Sequence, residues 1–344
     1  MYTAENGGYC TDGNQEELKQ LIKNGIQYAT DNNMYVIVDW HVLSDQDPNV
    51  YKEQAISFFD EISSEYKDYS NILYEICNEP NGNTSWESVK EYANEIIPVI
   101  RNNDEDCVIL VGTPNWCQYV NEAVDSPLDF DNIMYTLHYY ATTHKDDLRN
   151  TMEQALESGL PIFVSEYGIC DASGNGSIDL DSANEWINLM NLYQVSYVNW
   201  NLSNKDESSS LLNPTCAKTS DFSLEDLSES GSWLYSMLTG EMVEIKEPEK
   251  IESDGIEYTY SLKNSWESDG KNYYQYELTL YGNTTSWSID IPFENEFELS
   301  DSWNGIYTVS NSSLNIQNES YNGTINGTLN DVGFIVTSKI KNMG

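Results

Sequence analysis

Six short β-branched apolar runs, separated by stretches of helical spacing, constrain this chain more than any other feature. The runs cover residues 35–40, 72–77, 108–111, 133–137, 161–165 and 196–200, with amphipathic stretches at 17–30, 53–66, 86–100, 147–157 and 181–193. Runs apolar on both faces and joined through helices belong to a parallel sheet covered by helices. The fold expected is therefore α/β, either a doubly wound sheet or a (β/α)8 TIM barrel. Polar and chemically capable residues fall just after the runs, where a barrel carries its site, and this favours the barrel. A barrel needs eight strands and six are legible. Because the chain opens on a loop that precedes a helix, the expectation is a TIM barrel lacking its first two strand–helix units, as a fragment would.

The pattern changes after Gly240. Residues 1–240 are expected to form the barrel domain, and 241–254, charged and weakly apolar with Pro248, a linker. Residues 255–344 alternate with period two, as in 256–260, 274–280, 287–291 and 333–336, between clusters of Asn, Gly and Ser. That pattern predicts an all-β sandwich, whose abrupt end suggests a missing last strand.

Charge removes several function classes. The 57 Asp and Glu against 16 Lys and Arg give a formal net charge of −41. Such a chain gains nothing from counterion release, so neither nucleic acid nor an anionic membrane is an expected partner. No apolar run reaches the roughly 18 residues that a bilayer span requires. The start lacks both the basic residues and the apolar stretch of a signal peptide. Six cysteines without Cys-x-x-Cys spacing give little support to a zinc or redox site.

Chemistry concentrates in two places. Asn78-Glu79-Pro80 follows one strand run, and Ser165-Glu166-Tyr167-Gly168 closes another three units later. In a barrel these strand ends face each other across the mouth. Two carboxylates opposed over a cleft are what glycosidic cleavage requires, one to protonate the departing oxygen and one to stabilise the oxocarbenium centre. Isolated glutamates among 57 acidic residues reach strand ends by chance, so the neighbours decide. Of the three histidines, His41 and His138 directly follow strand runs. Side-chain alternation groups Asp39 with His41, Thr136 with His138 and Tyr140, Val164 with Glu166, and Val198 with Trp200. Four strands thus bring a polar or aromatic group to the top of one face. Asn78 and Glu79 differ in parity, so both reach the site only if the strand end twists or bulges. Cys77 reads as core, and Glu75 as a carboxylate that needs a partner if buried.

In order along the chain, Asp39-Trp40-His41, Tyr74-Glu75-Ile76-Cys77-Asn78-Glu79-Pro80, His138-Tyr139-Tyr140, Val164-Ser165-Glu166-Tyr167-Gly168 and the stretch from Trp200 to Ser209 resemble the retaining endoglucanases of glycoside hydrolase family 5. The resemblance covers nearly all of residues 1–240. It implies Glu79 as general acid/base, Glu166 as nucleophile, and Asn78 on the sugar 2-hydroxyl. It also implies Tyr140 orienting the nucleophile, His41 and His138 lining the cleft, and Trp200 stacking under the sugar, with Lys205 and Glu207 reaching its hydroxyls. Tyr2 matches a cleft tyrosine and Trp116 a loop platform. Physically, C–H faces of pyranose rings pack on aromatic rings, while their hydroxyls need paired donors and acceptors. The family carries two further strands, with an arginine that supports the nucleophile. Without them, weak activity or none is expected of this chain, and an upstream segment should restore turnover.

Residues 255–344 resemble a family 2 carbohydrate-binding module through Asn264-Ser265-Trp266, Ser286-Trp287-Ser288-Ile289, Asp301-Ser302-Trp303-Asn304 and Ser320-Tyr321-Asn322-Gly323-Thr324. The likeness implies Trp287 in the core and Trp266, Trp303 and Tyr321 as a flat strip for a glucan chain. Together these readings predict a secreted, monomeric endo-β-1,4-glucanase that acts on cellulose or another β-glucan and needs no cofactor and no metal. A mannanase or xyloglucanase on the same barrel is the alternative enzyme, because fold and catalytic pair do not fix the sugar. A non-catalytic polysaccharide-binding protein is the alternative outside enzymes.

Overall fold

The computed structural model describes residues 1–5, 7–240, 251–253, 256–268, 270–293, 295–310 and 313–338. It forms two compact units, Met1–Gly231 and Ser232–Gly344.

The first unit begins with α1 (Gln15–Asp31), β1 (Val36–Asp39), α2 (Lys52–Glu65), β2 (Ile72–Glu75), α3 (Trp86–Asn103) and β3 (Val108–Gly112). It continues through the short α4 (Pro114–Cys117), α5 (Val120–Asp125), β4 (Ile133–Tyr140), α6 (Asp146–Glu157), β5 (Ile162–Gly168), α7 (Leu180–Leu192) and β6 (Ser196–Asn199), and α8 (Glu229–Thr239) spans the division between units. Each of the six apolar runs is a strand. The six form one sheet in sequence order, β1 to β6, every pair parallel. Short as they are, these strands gain their stability from the helices packed on them rather than from the ladder alone. The helix α3 buries Val89, Tyr92, Ala93, Ile96, Ile97 and Ile100 along one face, each large aliphatic contributing about 1.5–3 kcal/mol. Side chains cap the helices where turn-forming residues precede them: Asn14 accepts from the Glu17 amide, Ser85 from Ser88 and Asp179 from Ser182.

Alternation is visible in β4. Tyr139 stacks on Trp186 of α7, with ring centroids 4.0 Å apart, while His138 and Tyr140 point the other way. At the β1 edge Met1–Thr3 runs parallel to the strand end, with Tyr2 bridged to His41 and the His41 amide donating to the Met1 carbonyl at 2.9 Å.

In the second unit come β7 (Ile251–Ser253), β8 (Ile256–Ser268), β9 (Lys271–Thr284), β10 (Ser288–Pro292), β11 (Glu298–Trp303), β12 (Ile306–Ser310), β13 (Ser313–Gln317) and β14 (Ile325–Ser338). They make two antiparallel sheets, ordered β11-β14-β9-β8-β7 and β10-β13-β12. Both sheets contribute to one core, with Tyr258, Leu280 and Phe334 from the first and Ile289, Leu314 and Ile316 from the second. Alternation in the sequence revealed only part of this unit. The strand β12 is mostly exposed, so its residues carry little hydrophobic signal. Of the expected linker, residues 241–250 and 254 lie outside the described residues, while 251–253 pair with β8.

Candidate active site

The site is assembled where the strands end. The strand β1 finishes at Asp39, whose Oδ2 lies 2.6 Å from His41 Nδ1. Burial opposes the Asp39 carboxylate, but the charge and hydrogen bond of His41 together with the charges of the N-terminus and His138 outweigh it and hold the carboxyl below its ordinary value. Burial likewise opposes protonation of His41, and Asp39 raises it.

The strand β2 ends at Glu75, and the next residues leave it. The amide of Asn78 donates to the Trp40 carbonyl and that of Glu79 to the Val42 carbonyl, each at 3.1 Å. Asn78 and Glu79 thus escape strand parity by lying in the turn beyond the strand, not through a bulge within it. Close packing makes this turn possible: a Cβ on Gly112 at the end of β3 would stand 2.3 Å from the Cys77 carbonyl oxygen.

A bulge occurs instead in β5. Between Thr136/His138 of β4 and again before Asn199 of β6, β5 holds one residue more than its neighbour. As a result Ser165 and Glu166, adjacent in sequence, both turn their side chains into the site. Tyr140 Oη donates to Glu166 Oε1 at 2.8 Å. A Cβ on Gly168 would meet the Tyr140 ring at 2.7 Å, so glycine leaves that ring its place.

Glu79, Glu166 and His138 converge. One oxygen from each carboxylate and a ring nitrogen of His138 all lie within 4.8 Å of one another. His138 Nδ1 is 2.9 Å from Glu79 Oε1. Burial disfavours the His138 imidazolium, yet the bond to Glu79 and the charges of Glu166, Glu79 and Glu75 prevail and push it up to about 9. Burial raises the Glu166 carboxyl, helped by the charge of Glu79 and opposed by His138 and Tyr140. Glu75, only 4% exposed, is pushed up to about 8 by burial and by Asp39.

A cavity of about 460 Å³ opens over these groups, lined by Tyr2, His41, Glu79, Trp116, His138, Tyr140, Glu166 and Trp200 among others. On one side the Tyr2 ring meets His41 edge-on at 4.5 Å, and His41 stacks with Trp200 at 5.8 Å. On the other side stands Trp116, 43% exposed, with φ of 53° in the short α4. That conformation is rare for a bulky residue, and the Trp116 amide is tied there to the Pro80 carbonyl at 3.1 Å.

Not every expected residue lines the cavity. Asn78 is buried beneath it, its Nδ2 3.4 Å from His41 Nε2. Lys205 and Glu207 pair with each other at 3.6 Å on the loop after β6, outside the lining, although Glu207 acts electrostatically on Tyr2. Both arginines serve helices: Arg101 bonds Cys107 Sγ, and Arg149 pairs with Asp146 and Glu185. Sequence reasoning gave no role to Ser165, Gln118 or His144, though the last two line the cavity. A third histidine so close to Tyr140 was the available signal for His144, whose Nδ1 accepts from the Tyr140 amide at 2.8 Å. In the second unit Trp287 is buried, Trp303 is half-buried against Gly333, and Tyr321 is 71% exposed. The side chain of Trp266 lies outside the described residues.

Residues 1–206 match the family model for Cellulase (glycosyl hydrolase family 5). Endoglucanase A of Butyrivibrio fibrisolvens is 54% identical over 242 residues, 70% of this chain and 56% of that protein. Endoglucanase A of Evansella cellulosilytica is 48% identical over 236 residues, 68% of this chain and 48% of that protein. The chain therefore spans about half the length of these relatives. Among solved structures, the catalytic domain of Thermobifida fusca endoglucanase Cel5A in complex with cellotetraose superposes with a TM-score of 0.66 at 38% identity, covering 69% of this chain and 79% of that one.

Proposed function

The chain belongs to glycosyl hydrolase family 5, the cellulase family, and from that premise we propose that it is a retaining endo-β-1,4-glucanase of cellulose and related β-glucans. One observation carries the reading: oxygens of Glu79 and Glu166 approach within 4.8 Å over the cavity. Retaining pairs stand about 5–5.5 Å apart and inverting pairs about 6.5–9.5 Å, since an inverting enzyme must seat a water between carboxylate and sugar. Glu166 attacks the anomeric carbon while Glu79 gives its proton to the leaving oxygen. Water, deprotonated by Glu79, then releases the sugar from Glu166 with its configuration retained. Tyr140 orients Glu166, Asn78 serves the 2-hydroxyl, and His41 and His138 line the cleft. Trp200, Tyr2 and Trp116 offer apolar faces to pyranose rings, and Lys205 and Glu207 reach outer hydroxyls. The endoglucanase relatives and the cellotetraose complex support glucan as the sugar.

The reading extends to the second unit as a cellulose-binding module. Its support is an exposed Tyr321 beside Trp303: Tyr321 Oη donates to Asn304 Oδ1 at 2.9 Å, and Asn322 Nδ2 to the Asn304 carbonyl at 2.7 Å. Polymeric cellulose cannot enter a cell, so the protein acts outside it. NMR of early products should show the β-anomer first; the α-anomer first would defeat the mechanism. Faster hydrolysis of mannan than of carboxymethyl-cellulose would move the substrate to the mannanase reading. Unchanged binding of Trp303→Ala to insoluble cellulose would remove the module.

A further inference from the structure

Gln118, shortly after Trp116, lines two cavities: the catalytic one, and a second of about 440 Å³ between α5 and α6. The second falls within the roughly 300–1,000 Å³ typical of small-molecule sites. The turn after α4 holds its wall in place. The amides of Gln118 and Tyr119 both donate to the Pro114 carbonyl at 3.2 Å, and the Glu122 amide donates to the Tyr119 carbonyl at 3.1 Å. The backbone is thereby pinned on both sides of Tyr119, whose side chain lines the second cavity while staying 46% exposed. Asn115 Nδ2 lies 3.4 Å from Gln118 Oε1, which leaves the Gln118 Nε2 hydrogens for a ligand.

A lone exposed ring is ordinary surface. Here the ring shares a cavity with the amides of Gln118, Asn121 and Gln154 and the hydroxyl of Thr151, so an apolar face stands beside neutral donors and acceptors. That combination suits a pyranose, which offers C–H faces and hydroxyls together. Among the described residues no lysine, arginine or histidine lines the cavity, whereas Glu122 and Asp147 do. Phosphate, sulfate and uronate groups would meet like charge there.

We propose that the cavity between α5 and α6 is a second binding site, which takes an uncharged β-glucan chain where it continues past the catalytic cleft. This rests on the endoglucanase reading above: a chain lying on Trp116 reaches the second cavity through Gln118, which belongs to both. The sugars held there take no part in bond breaking. Their contacts form equally in the ground and transition states, so they lower KM for long chains and leave kcat unchanged. Polymers bearing carboxylates forgo this tightening, because Glu122 and Asp147 repel them.

The test uses the full chain with Tyr119→Ala and with Tyr119→Phe, which keeps the ring. Tyr119→Ala should lose about fivefold in kcat/KM on a long uncharged β-glucan, through KM, the scale of one aromatic contact. On 4-nitrophenyl β-cellobioside, too short to extend from the cleft, it should match the wild type. Tyr119→Phe should match the wild type on both. An unchanged KM for the long glucan in Tyr119→Ala, or an equal loss on the short substrate, would overturn the proposal. A binding measurement separates the site from turnover. In Glu166→Gln with isotope-labelled tyrosine, the Tyr119 ring signal is identified by its loss on adding Tyr119→Phe. That signal should shift with cellohexaose and stay in place with hexagalacturonate, equally long but carrying a carboxylate on every sugar. No shift with cellohexaose, or the same shift with both, defeats the site. If the wild type hydrolyses no glucan, the functional reading fails while the NMR still decides the second site.

Discussion

Glu75 and Glu79 lie four residues apart, yet one sits under the site and the other in its wall. Removing the acid at Glu79 should cost about 10²–10⁴-fold in kcat/KM on cello-oligosaccharides, and Glu79→Gln against that substrate checks it. A loss below tenfold would take the acid/base role away from Glu79. Stability should carry the signature of the buried groups. Glu75 is raised from 4.5 to about 8 and His138 from 6.5 to about 9, so both hold protons more tightly folded than unfolded. The stability these two groups contribute therefore falls as pH rises, from about 4.5 to about 8 for Glu75 and from about 6.5 to about 9 for His138. Thermal melts of wild type and Glu75→Gln between pH 4 and 9 test this. The variant should show a shallower fall between pH 4.5 and about 8, the window of Glu75, while Glu166 and His138, which are also raised, keep a remaining share. The sequence announced Glu79 and Glu166 through their motifs, and Glu75 as a carboxylate in need of a partner. Nothing in it announced that the partner is Ser165, because strand alternation assigns Ser165 to the face opposite Glu166.

Strands and helices were largely legible because each has its own period, and β1 to β6 fall where the apolar runs lie. What alternation misses are the departures from regularity, and here those departures place the chemistry: the turn carrying Asn78 and Glu79, the extra residue in β5, and the left-handed backbone at Trp116. Gly112 is where one of them can be probed. A methyl there would press on the carbonyls of Cys77 and Asn78 at 2.3 and 2.7 Å. Gly112→Ala should destabilise the chain by roughly 1–3 kcal/mol through overpacking and displace Glu79, lowering kcat more than it raises KM. Denaturant titration with steady-state kinetics reads both; unchanged stability would mean that the turn shifts freely.

At the scale of the whole molecule, charge governs how the protein responds to its solvent. A net charge of −41 repels itself in the compact state, and added salt shortens that repulsion from a reach of about 10 Å at 0.1 M to about 3 Å at 1 M. The melting temperature should rise between 0.01 and 1 M sodium chloride, and a flat or falling trend would show that charge of this size is already accommodated locally. The parallel α/β unit, the antiparallel unit after it and the two glutamates were determined by the sequence alone, since hydrophobic period and the residues following each strand are local properties of the chain. Which atoms meet was decided only by the tertiary structure: Glu79 on His138, Ser165 between His138 and Glu75, Tyr2 against His41. These contacts join residues as many as 90 positions apart, and their geometry depends on strand register and on one bulged residue, neither of which leaves a periodic trace along the chain.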